Sequence, residues 1–180
     1  MNRQIVLGAG CFWCTEAVFS RVAGVTATMP GFSGGHVANP TYEEVCRGNT
    51  GHIEVVRVDF DDSVVSLDKL LEIFFEIHDP TSLDKQGEDV GYQYRSVIFY
   101  ERNEDLGTIE RAIKKAQTRF SRKIVTEVRK LENFYPAEAY HKDYFRNNPD
   151  KPYCKLVISP KVEKATREFP ELIIKSTTPR

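Results

Sequence analysis

Apolar residues recur with two different periods along the first hundred positions, and the order of these patterns limits the folds open to the chain. Strand-type patterns, which are short apolar runs or strict alternation, occupy residues 3–9, 25–35, 52–60 and 94–101. A helix-type pattern follows Cys11, and a second begins after Ser66, a residue suited to cap a helix, with apolar residues three or four positions apart. The elements therefore follow the order β-α-β-β-α-β.

This order is that of the ferredoxin-like split βαβ unit. We therefore expect an α+β fold, a single-domain α/β sandwich whose sheet contains antiparallel strands and carries its helices on one face. Further along, the patterns predict a helix after Asn103, a last strand over residues 123–131 and a short helix over residues 137–145. Residues 1–180 are expected to form one domain, with a core of about residues 4–146 and an irregular C-terminal segment over residues 147–180.

Composition places the chain among ordinary soluble globular proteins. Its 180 residues, 41% hydrophobic and 28% charged, are enough for one domain with a substantial core. The net charge of -1 gives no electrostatic reason to expect nucleic acid or an anionic membrane as a partner. No stretch resembles a signal peptide or is long enough to span a bilayer. Four cysteines are too few for a secreted disulfide framework, so we expect a reducing cytoplasm.

The stretch GCFWCTE carries two cysteines, Cys11 and Cys14, on either side of the large apolar rings of Phe12 and Trp13. Cys11 is expected at or beside the N-terminus of a helix, where backbone amides and the helix dipole lower the pKa of a thiol. Burial as a small core residue is the other role open to a cysteine. The flanking glycines and the helix start favour a reactive nucleophile instead.

A zinc site and a thioredoxin-type dithiol are the two alternatives for this motif. The chain has a single CxxC pair and no second pair or HxxxH at matching spacing, so no metal site is expected. A CxxC at a helix start suits a dithiol-disulfide oxidoreductase. The Phe-Trp insert is unusual for that class, and no counterpart of its cis-proline loop is found.

Two long loops carry most of the remaining polar candidates, and loops of such length in a compact domain are usually functional. These candidates are His36, Tyr42, Cys46, His52, Glu54, Asp79, Asp89, Tyr92 and Tyr94. Glu54 stands out because it lies in a valine-rich strand. Alternation along a strand favours the solvated face for a glutamate. If Glu54 points inward instead, desolvation raises its pKa and leaves it protonated as an acid.

Longer motifs carry a specific resemblance. GCFWCTE is followed by GFSGGHVANPTYEEVCRGNTGHIEVVRVDFD, HDPT, GYQYRSVIFY and FYPAEAYHKDYF. Together these motifs closely resemble the peptide methionine sulfoxide reductase A family, from about Ile5 to about Cys154. The resemblance implies an α/β sandwich with a ferredoxin-like core. It also implies an enzyme that repairs oxidised proteins by reducing the S epimer of methionine sulfoxide, free or protein-bound.

The same resemblance implies roles for individual residues. Cys11 is the nucleophile that attacks the sulfoxide sulfur, while Phe12 and Trp13 form the pocket for its methyl group. The sulfoxide oxygen leaves only if an acid and hydrogen-bond donors assist it. The residues that match these further roles are Glu54 for the acid, Tyr42 and Tyr94 for the oxygen-binding phenols, and Asp89 for an aspartate that orders the site.

The resemblance further implies that a second thiol recycles the nucleophile. This thiol condenses with the sulfenic acid on Cys11, and thioredoxin, or dithiothreitol in vitro, reduces the disulfide. Cys154 stands at the family's usual recycling position, after the stretch NNPDKP, which is expected to be a mobile surface loop. Cys14 is the alternative, and the chain lacks the second C-terminal cysteine of many family members. No metal or organic cofactor is implied, and a monomer is expected.

Overall fold

The structure is a computed structural model that describes residues 1–174. Its strands are β1 (Asn2–Ala9), β2 (Val25–Ser33), β3 (Ile53–Asp61), β4 (Lys85–Gln86), β5 (Asp89–Val90), β6 (Ser96–Tyr100), β7 (Glu127–Lys130) and β8 (Tyr135–Pro136). Its α-helices are α1 (Phe12–Phe19), α2 (Tyr42–Cys46), α3 (Leu67–Glu76), α4 (Asp105–Gln117), α5 (Tyr144–Asn147) and α6 (Ser159–Glu168). Two 3-10 turns cover Tyr92–Tyr94 and Ala139–His141, and a π-helical segment, Cys154–Ile158, runs directly into α6.

The main sheet has six strands in the order β7-β6-β1-β3-β2-β8. Its four central strands, β6-β1-β3-β2, are all antiparallel to their neighbours. β1 and β2 are therefore parallel to each other but separated by β3, which is the arrangement of a split βαβ unit. β7 is parallel to β6, and the two-residue β8 is antiparallel to β2. The predicted ferredoxin-like α+β core is confirmed.

Both faces of the sheet are buried. Alternate residues of β1 pack on opposite sides: Ile5 and Leu7 belong to the large core that includes α1, α3 and α4, whereas Val6 belongs to a smaller cluster on the other face. Loop side chains rather than helices cover that second face, among them Tyr92, Leu131 and Phe134. The first four residues of β3, 53–56, are consequently all buried.

Helix α3 follows the predicted pattern. The Ser66 hydroxyl accepts a hydrogen bond from the backbone N–H of Lys69 at 3.2 Å, as expected of an N-cap. The apolar side chains of α3 are buried against the sheet and α4. None of the helices within residues 1–174 is long and apolar enough to cross a bilayer.

The C-terminal part of the chain differs from expectation. Residues 137–145 do not form one helix, because Asp143 adopts a left-handed conformation (φ 54°) between a 3-10 turn and α5. The expectation of an irregular segment over residues 147–180 is wrong for residues 154–168, which are helical and pack against α1. Pro160 lies in the first turn of α6, where proline is tolerated. Residues 175–180 lie outside the described part of the chain.

Candidate active site

Cys11 is presented by a sharp turn between β1 and α1. Gly10 has φ 91°, a left-handed conformation open to glycine, and a Cβ at this position would lie 2.8 Å from the Gln86 side chain. The chain can therefore leave the centre of the sheet and enter the helix within two residues. Cys11 is the N-cap of α1, and its side chain is 7% exposed. This confirms the predicted position at the start of the helix.

The electrostatics of Cys11 differ from the sequence-based expectation. Burial raises the pKa of Cys11 well above its usual value, and the neighbouring Cys14 and Glu54 act in the same direction. The helix N-terminus does not compensate for this loss of solvation. A hydrogen bond from the Cys11 thiol lowers the pKa of Cys14 to about 7. The two thiols therefore behave as a coupled pair that gives up its first proton near neutral pH.

Glu54 points inward from β3 and is 1% exposed. The expectation that alternation places it on a solvated face is wrong, because Glu54 shares the face of β3 that carries Val56 and Val58, and this face packs against α1. Its Oε1 accepts a hydrogen bond from the backbone N–H of Phe12 at 3.3 Å, while Oε2 has no partner among residues 1–174. Burial raises the pKa of Glu54 to about 8. At neutral pH Glu54 is therefore a protonated acid with one carboxyl oxygen free, next to the residue that follows Cys11.

Aromatic rings form a wall beside the two cysteines. Phe12 is fully buried, and its ring stacks on that of Tyr42 with 6.1 Å between centroids. Trp13 is only partly buried and is nearly parallel to the Tyr144 ring, at a centroid distance of 3.8 Å and an interplanar angle of 10°. The Trp13 and Tyr42 rings are stacked at 6.2 Å. The wall is therefore an apolar surface assembled from α1, α2 and α5.

Tyr42 and Tyr94 lie near the cysteines but come from different parts of the sequence. Tyr42 begins α2, whose N-terminus is closed by a capping box between Thr41 and Glu44. Tyr94 ends a 3-10 turn just before β6 and packs in the cluster that contains Cys11. Burial raises the pKa of both phenols, and the nearby Glu54 carboxyl raises it further. Both hydroxyls are therefore kept protonated as hydrogen-bond donors.

Asp89 reaches the cysteines through a residue that sequence reasoning missed. The Tyr153 hydroxyl donates a hydrogen bond to Asp89 Oδ2 at 2.6 Å and lies 3.8 Å from Cys14 Sγ. Tyr153 directly precedes Cys154, and this position is the one sequence feature that could have indicated Tyr153 as a site residue. Asp89 thus holds the Tyr153 phenol next to the Cys14 thiol.

Cys154 lies in the same apolar cluster as Cys11 and Cys14, and it is fully buried. The stretch NNPDKP before it contains a largely exposed turn, but Cys154 itself starts the π-helical segment that packs against α1. Burial raises the pKa of Cys154, and the Cys14 thiol raises it further. The structure therefore brings three thiols into one cluster.

His141 and Glu138 form a hydrogen-bonded pair behind the aromatic wall. Neither residue was among the candidates from the sequence. The Trp13 indole N–H donates to His141 Nδ1 at 3.0 Å, and His141 Nε2 lies 3.1 Å from Glu138 Oε2. Glu138 Oε1 accepts from the backbone N–H of Tyr42 at 3.0 Å. Both residues belong to the motif FYPAEAYHKDYF, and this membership is the sequence feature that could have indicated a place near the site.

Other polar candidates have structural roles. His52 is buried and holds the glycine-rich loop, accepting from the Gly35 N–H at 3.0 Å and lying 2.7 Å from the Val37 carbonyl. Asp79 stabilises a turn by accepting from Thr81. Within residues 1–174, no group of three or more histidine, cysteine, aspartate or glutamate side chains is arranged to hold a metal ion.

Comparisons with known proteins agree with this geometry. A family model described as peptide methionine sulfoxide reductase matches residues 3–172. The peptide methionine sulfoxide reductase MsrA of Saccharolobus solfataricus is 54% identical over 167 residues, covering 93% of this chain and 94% of that protein. The crystal structure of Mxr1 from Saccharomyces cerevisiae in reduced form has a TM-score of 0.81 and 34% identity, covering 85% of this chain and 89% of the other.

A second Mxr1 structure contains a partner. The crystal structure of Mxr1 in complex with Trx2 matches with a TM-score of 0.58 and 25% identity, covering 79% of this chain and 84% of that one. The family model spans nearly all of the described residues, and the Saccharolobus protein is similar over almost its full length. This chain belongs to the peptide methionine sulfoxide reductase family.

Proposed function

We propose that this chain is a peptide-methionine (S)-S-oxide reductase, which reduces the S epimer of methionine sulfoxide, free and in oxidised proteins, to methionine. The relatives named as methionine sulfoxide reductases support this activity. The single observation that carries the proposal is the juxtaposition of a buried Cys11 with Glu54, an acid whose pKa of about 8 keeps it protonated and whose Oε2 is free. Reduction of a sulfoxide requires both a sulfur nucleophile and a proton for the departing oxygen.

The first step oxidises Cys11 as the sulfoxide is reduced. Cys11 passes its proton to the neighbouring Cys14 thiolate, the first member of the pair to ionise. The resulting Cys11 thiolate forms a bond to the sulfoxide sulfur, and Glu54 transfers a proton to the sulfoxide oxygen. The Tyr42 and Tyr94 hydroxyls donate hydrogen bonds to that oxygen as its negative charge grows. The oxygen, now a hydroxyl, then moves to Cys11 Sγ as the S–O and S–S bonds at the methionine sulfur break. Methionine leaves with the electron pair, and Cys11 is left as a sulfenic acid.

Phe12 and Trp13 recognise the apolar part of the substrate. A methyl group on sulfur packs favourably against aromatic rings. The partly buried Trp13 supplies such a ring at the edge of the cysteine cluster, and Phe12 supports it from the core. The polarised S=O bond and the methyl group are thus bound by different sides of the site, which distinguishes the two sulfur epimers.

The sulfenic acid is then converted to a disulfide with loss of water. Cys154 and Cys14 are the candidate thiols. Cys14 is one helical turn from Cys11 and its pKa is coupled to that of Cys11, whereas Cys154 lies in the same cluster and is held in a helix. The proximity favours Cys14 as the first resolving thiol, and the family's usual position favours Cys154. Peptide mapping after one turnover without reductant distinguishes a Cys11–Cys14 from a Cys11–Cys154 crosslink.

The electrons come from thioredoxin, or from dithiothreitol in vitro. The complex of Mxr1 with Trx2 supports a thioredoxin as the reducing partner. No metal or organic cofactor is required, since the chain's own side chains supply the nucleophile, acid and hydrogen-bond donors. We further propose a monomer in a reducing cytoplasm. The free thiols of Cys11, Cys14, Cys46 and Cys154 support the reducing compartment.

The experiment is an epimer-resolved assay. The protein is incubated with dithiothreitol and dabsylated methionine S-sulfoxide or R-sulfoxide, and methionine is quantified. Consumption of the S epimer alone is expected. Reduction of insulin disulfides with no turnover of either epimer would instead identify a dithiol oxidoreductase. Stoichiometric zinc, with loss of fold in chelator, would identify a zinc-binding module.

A further inference from the structure

The motif HDPT, residues 78–81, has no part in the proposed chemistry, yet its backbone is firmly held. Asp79 Oδ1 accepts hydrogen bonds from the Thr81 backbone N–H at 2.9 Å and from the Thr81 hydroxyl at 2.6 Å. Asp79 Oδ2 accepts from the Arg122 guanidinium at 3.2 Å. The preceding His78 is buried and hydrogen-bonded to a carbonyl in the last turn of α3. Asp79 is therefore a fixed point directly after α3.

Gln86, in β4, is bonded to the backbone of Asp79 through both ends of its amide. Its Oε1 accepts from the Asp79 N–H at 2.9 Å, and its Nε2 donates to the Asp79 carbonyl at 2.6 Å. The Gln86 residue is 6% exposed. A primary amide is the side chain that offers a donor and an acceptor side by side, so this buried pair of bonds is specific to glutamine at this position.

The methylene groups of the same side chain lie against Gly10. A Cβ at position 10 would lie 2.8 Å from Gln86 Cγ and 2.9 Å from Gln86 Cβ, too close for any side chain there. Gly10 directly precedes Cys11, and the backbone N–H of Phe12, the next residue, donates to Glu54 Oε1 at 3.3 Å. The turn that carries the nucleophile is therefore held by Gln86 on one side and by the acid on the other.

The β4–β5 hairpin extends this contact to the second thiol. Asp89 lies opposite Gln86 in the hairpin. Asp89 accepts from the Tyr153 hydroxyl, which lies beside Cys14 Sγ. One pair of opposed residues thus reaches both ends of the first turn of α1, since Gln86 contacts the residue before Cys11. A displacement of the hairpin would move the surroundings of both thiols.

We propose that Gln86 is a positioning residue that joins the turn before Cys11 to the end of α3, and thereby sets the position of the Cys11 sulfur relative to the Glu54 acid. The inference rests on the proposed function for the reaction that this geometry serves. The placement of the Cys11 thiol does not depend on that function, and this permits separate tests.

Two substitutions weaken the contact to different degrees. Gln86→Met keeps a stem of similar length against Gly10 but has neither the donor nor the acceptor for Asp79. Gln86→Glu keeps the stem and the acceptor for the Asp79 N–H, while its carboxylate has no proton to donate to the Asp79 carbonyl. The effects of Gln86→Glu should therefore be in the same direction as those of Gln86→Met and smaller.

Gln117 offers a matched control. Its Oε1 accepts from the Ile124 N–H at 2.8 Å, and its Nε2 donates to the Arg122 carbonyl at 2.9 Å. Gln117 therefore also bonds loop backbone through both ends of its amide, but none of these partners belongs to the turn around Cys11. Gln117→Met loses a comparable pair of hydrogen bonds and should leave the reactivity of Cys11 as in the wild type.

The first measurement needs no sulfoxide. The reduced protein is alkylated with iodoacetamide, and the rate at each thiol is followed by peptide mass mapping. In Gln86→Met the buried Cys11 should react about tenfold faster, because loss of the two bonds lets its turn open more often. The exposed Cys46 and the fully buried Cys154 should keep their rates. An unchanged Cys11 rate in Gln86→Met, an equal rise at Cys154 or an equal rise in Gln117→Met would overturn the proposal.

The second measurement is the single-turnover rate against S-sulfoxide concentration. In Gln86→Met the maximal rate should fall about 10²-fold, the effect of displacing a reacting atom by about 1 Å. The half-saturating concentration should change little, because the aromatic residues that bind the methyl group are untouched. Cys11 then reacts faster with iodoacetamide and more slowly with sulfoxide, which a less reactive thiol cannot do. A raised half-saturating concentration at the wild-type maximal rate would contradict a positioning role.

The two measurements also separate this inference from the proposed function. If Gln86→Met does not fold, Gln86→Glu decides the question by the same two rates, since it keeps the stem and one of the hydrogen bonds. If the wild type reduces neither sulfoxide epimer while Gln86→Met shows the expected alkylation of Cys11, the reductase function is refuted and the placement of Cys11 by Gln86 stands.

Discussion

The protonated state of Glu54 predicts a specific dependence of the reaction rate on pH. The reactive form needs a thiolate in the Cys11–Cys14 pair and a proton on Glu54. The pair gives up its first proton near pH 7, and Glu54 gives up its proton near pH 8. The rate at low sulfoxide concentration should therefore rise with pH through about 7 and fall above about 8.

The magnitude follows from the pKa of about 8. Glu54 is about 90% protonated at pH 7 and about 10% protonated at pH 9, and beyond this point the rate falls about tenfold per pH unit. Glu54→Gln should remove the falling limb near pH 8. Glu54→Gln should also slow the formation of the sulfenic acid on Cys11 by roughly two to three orders of magnitude, the scale of one general acid. Substrate affinity should change little.

The assay is quenched single turnover with dabsylated S-sulfoxide at a concentration below saturation, so that the profile reports the free protein. Cys14→Ser is the matched variant for the rising limb. Without its partner, Cys11 retains the raised pKa that burial imposes, and the rising limb should move to higher pH. A wild-type rate that is constant between pH 7 and 10, or equal to that of Glu54→Gln throughout, would refute the assignment of Glu54 as the acid.

Three further outcomes follow from the same geometry. Cys11→Ser should abolish methionine formation with any reductant, and residual activity above about a tenth of wild type, a loss of only about 1.4 kcal/mol, would contradict its role as nucleophile. Tyr94→Phe should lower the single-turnover rate by about 10²-fold, the effect of one oxyanion donor, and an unchanged rate would assign the oxygen to Tyr42 alone. Because the folded pKa of Glu54 is raised from 4.5 to about 8, wild-type stability should decrease as pH rises from about 4.5 to 8. Urea unfolding of Glu54→Gln should lack this component, which is on the order of 5 kcal/mol.

The element order and the helix starts could be predicted from the sequence because their determinants are local. A strand alternates within a few residues, and Ser66 caps α3 through a hydrogen bond to a backbone N–H three positions away. The same holds for Cys11 at the start of α1, since Gly10 directly precedes it and permits the turn into the helix. The ferredoxin-like core follows from this order by general rules of chain connection.

The shape of the C-terminal part could not be predicted in this way. Asparagine and proline around residues 147–152 and Pro160 are typical of loops, but packing on α1 stabilises helix from residue 154 onward. The hydrogen bonds of Trp13 to His141 and of Asp89 to Tyr153 join residues 128 and 64 positions apart. A local pattern carries no information on such pairs.

The chain's own sequence determined the order of its elements and the identity of the reacting groups, because propensity, capping and motif spacing act over a few residues. The tertiary structure decided their protonation states. Glu54 is an acid because it lies on the face of β3 that packs against α1, where it is removed from solvent, and burial raises its pKa. Cys11 keeps its proton for the same reason, since desolvation by groups distant in sequence outweighs the dipole of the helix that it begins.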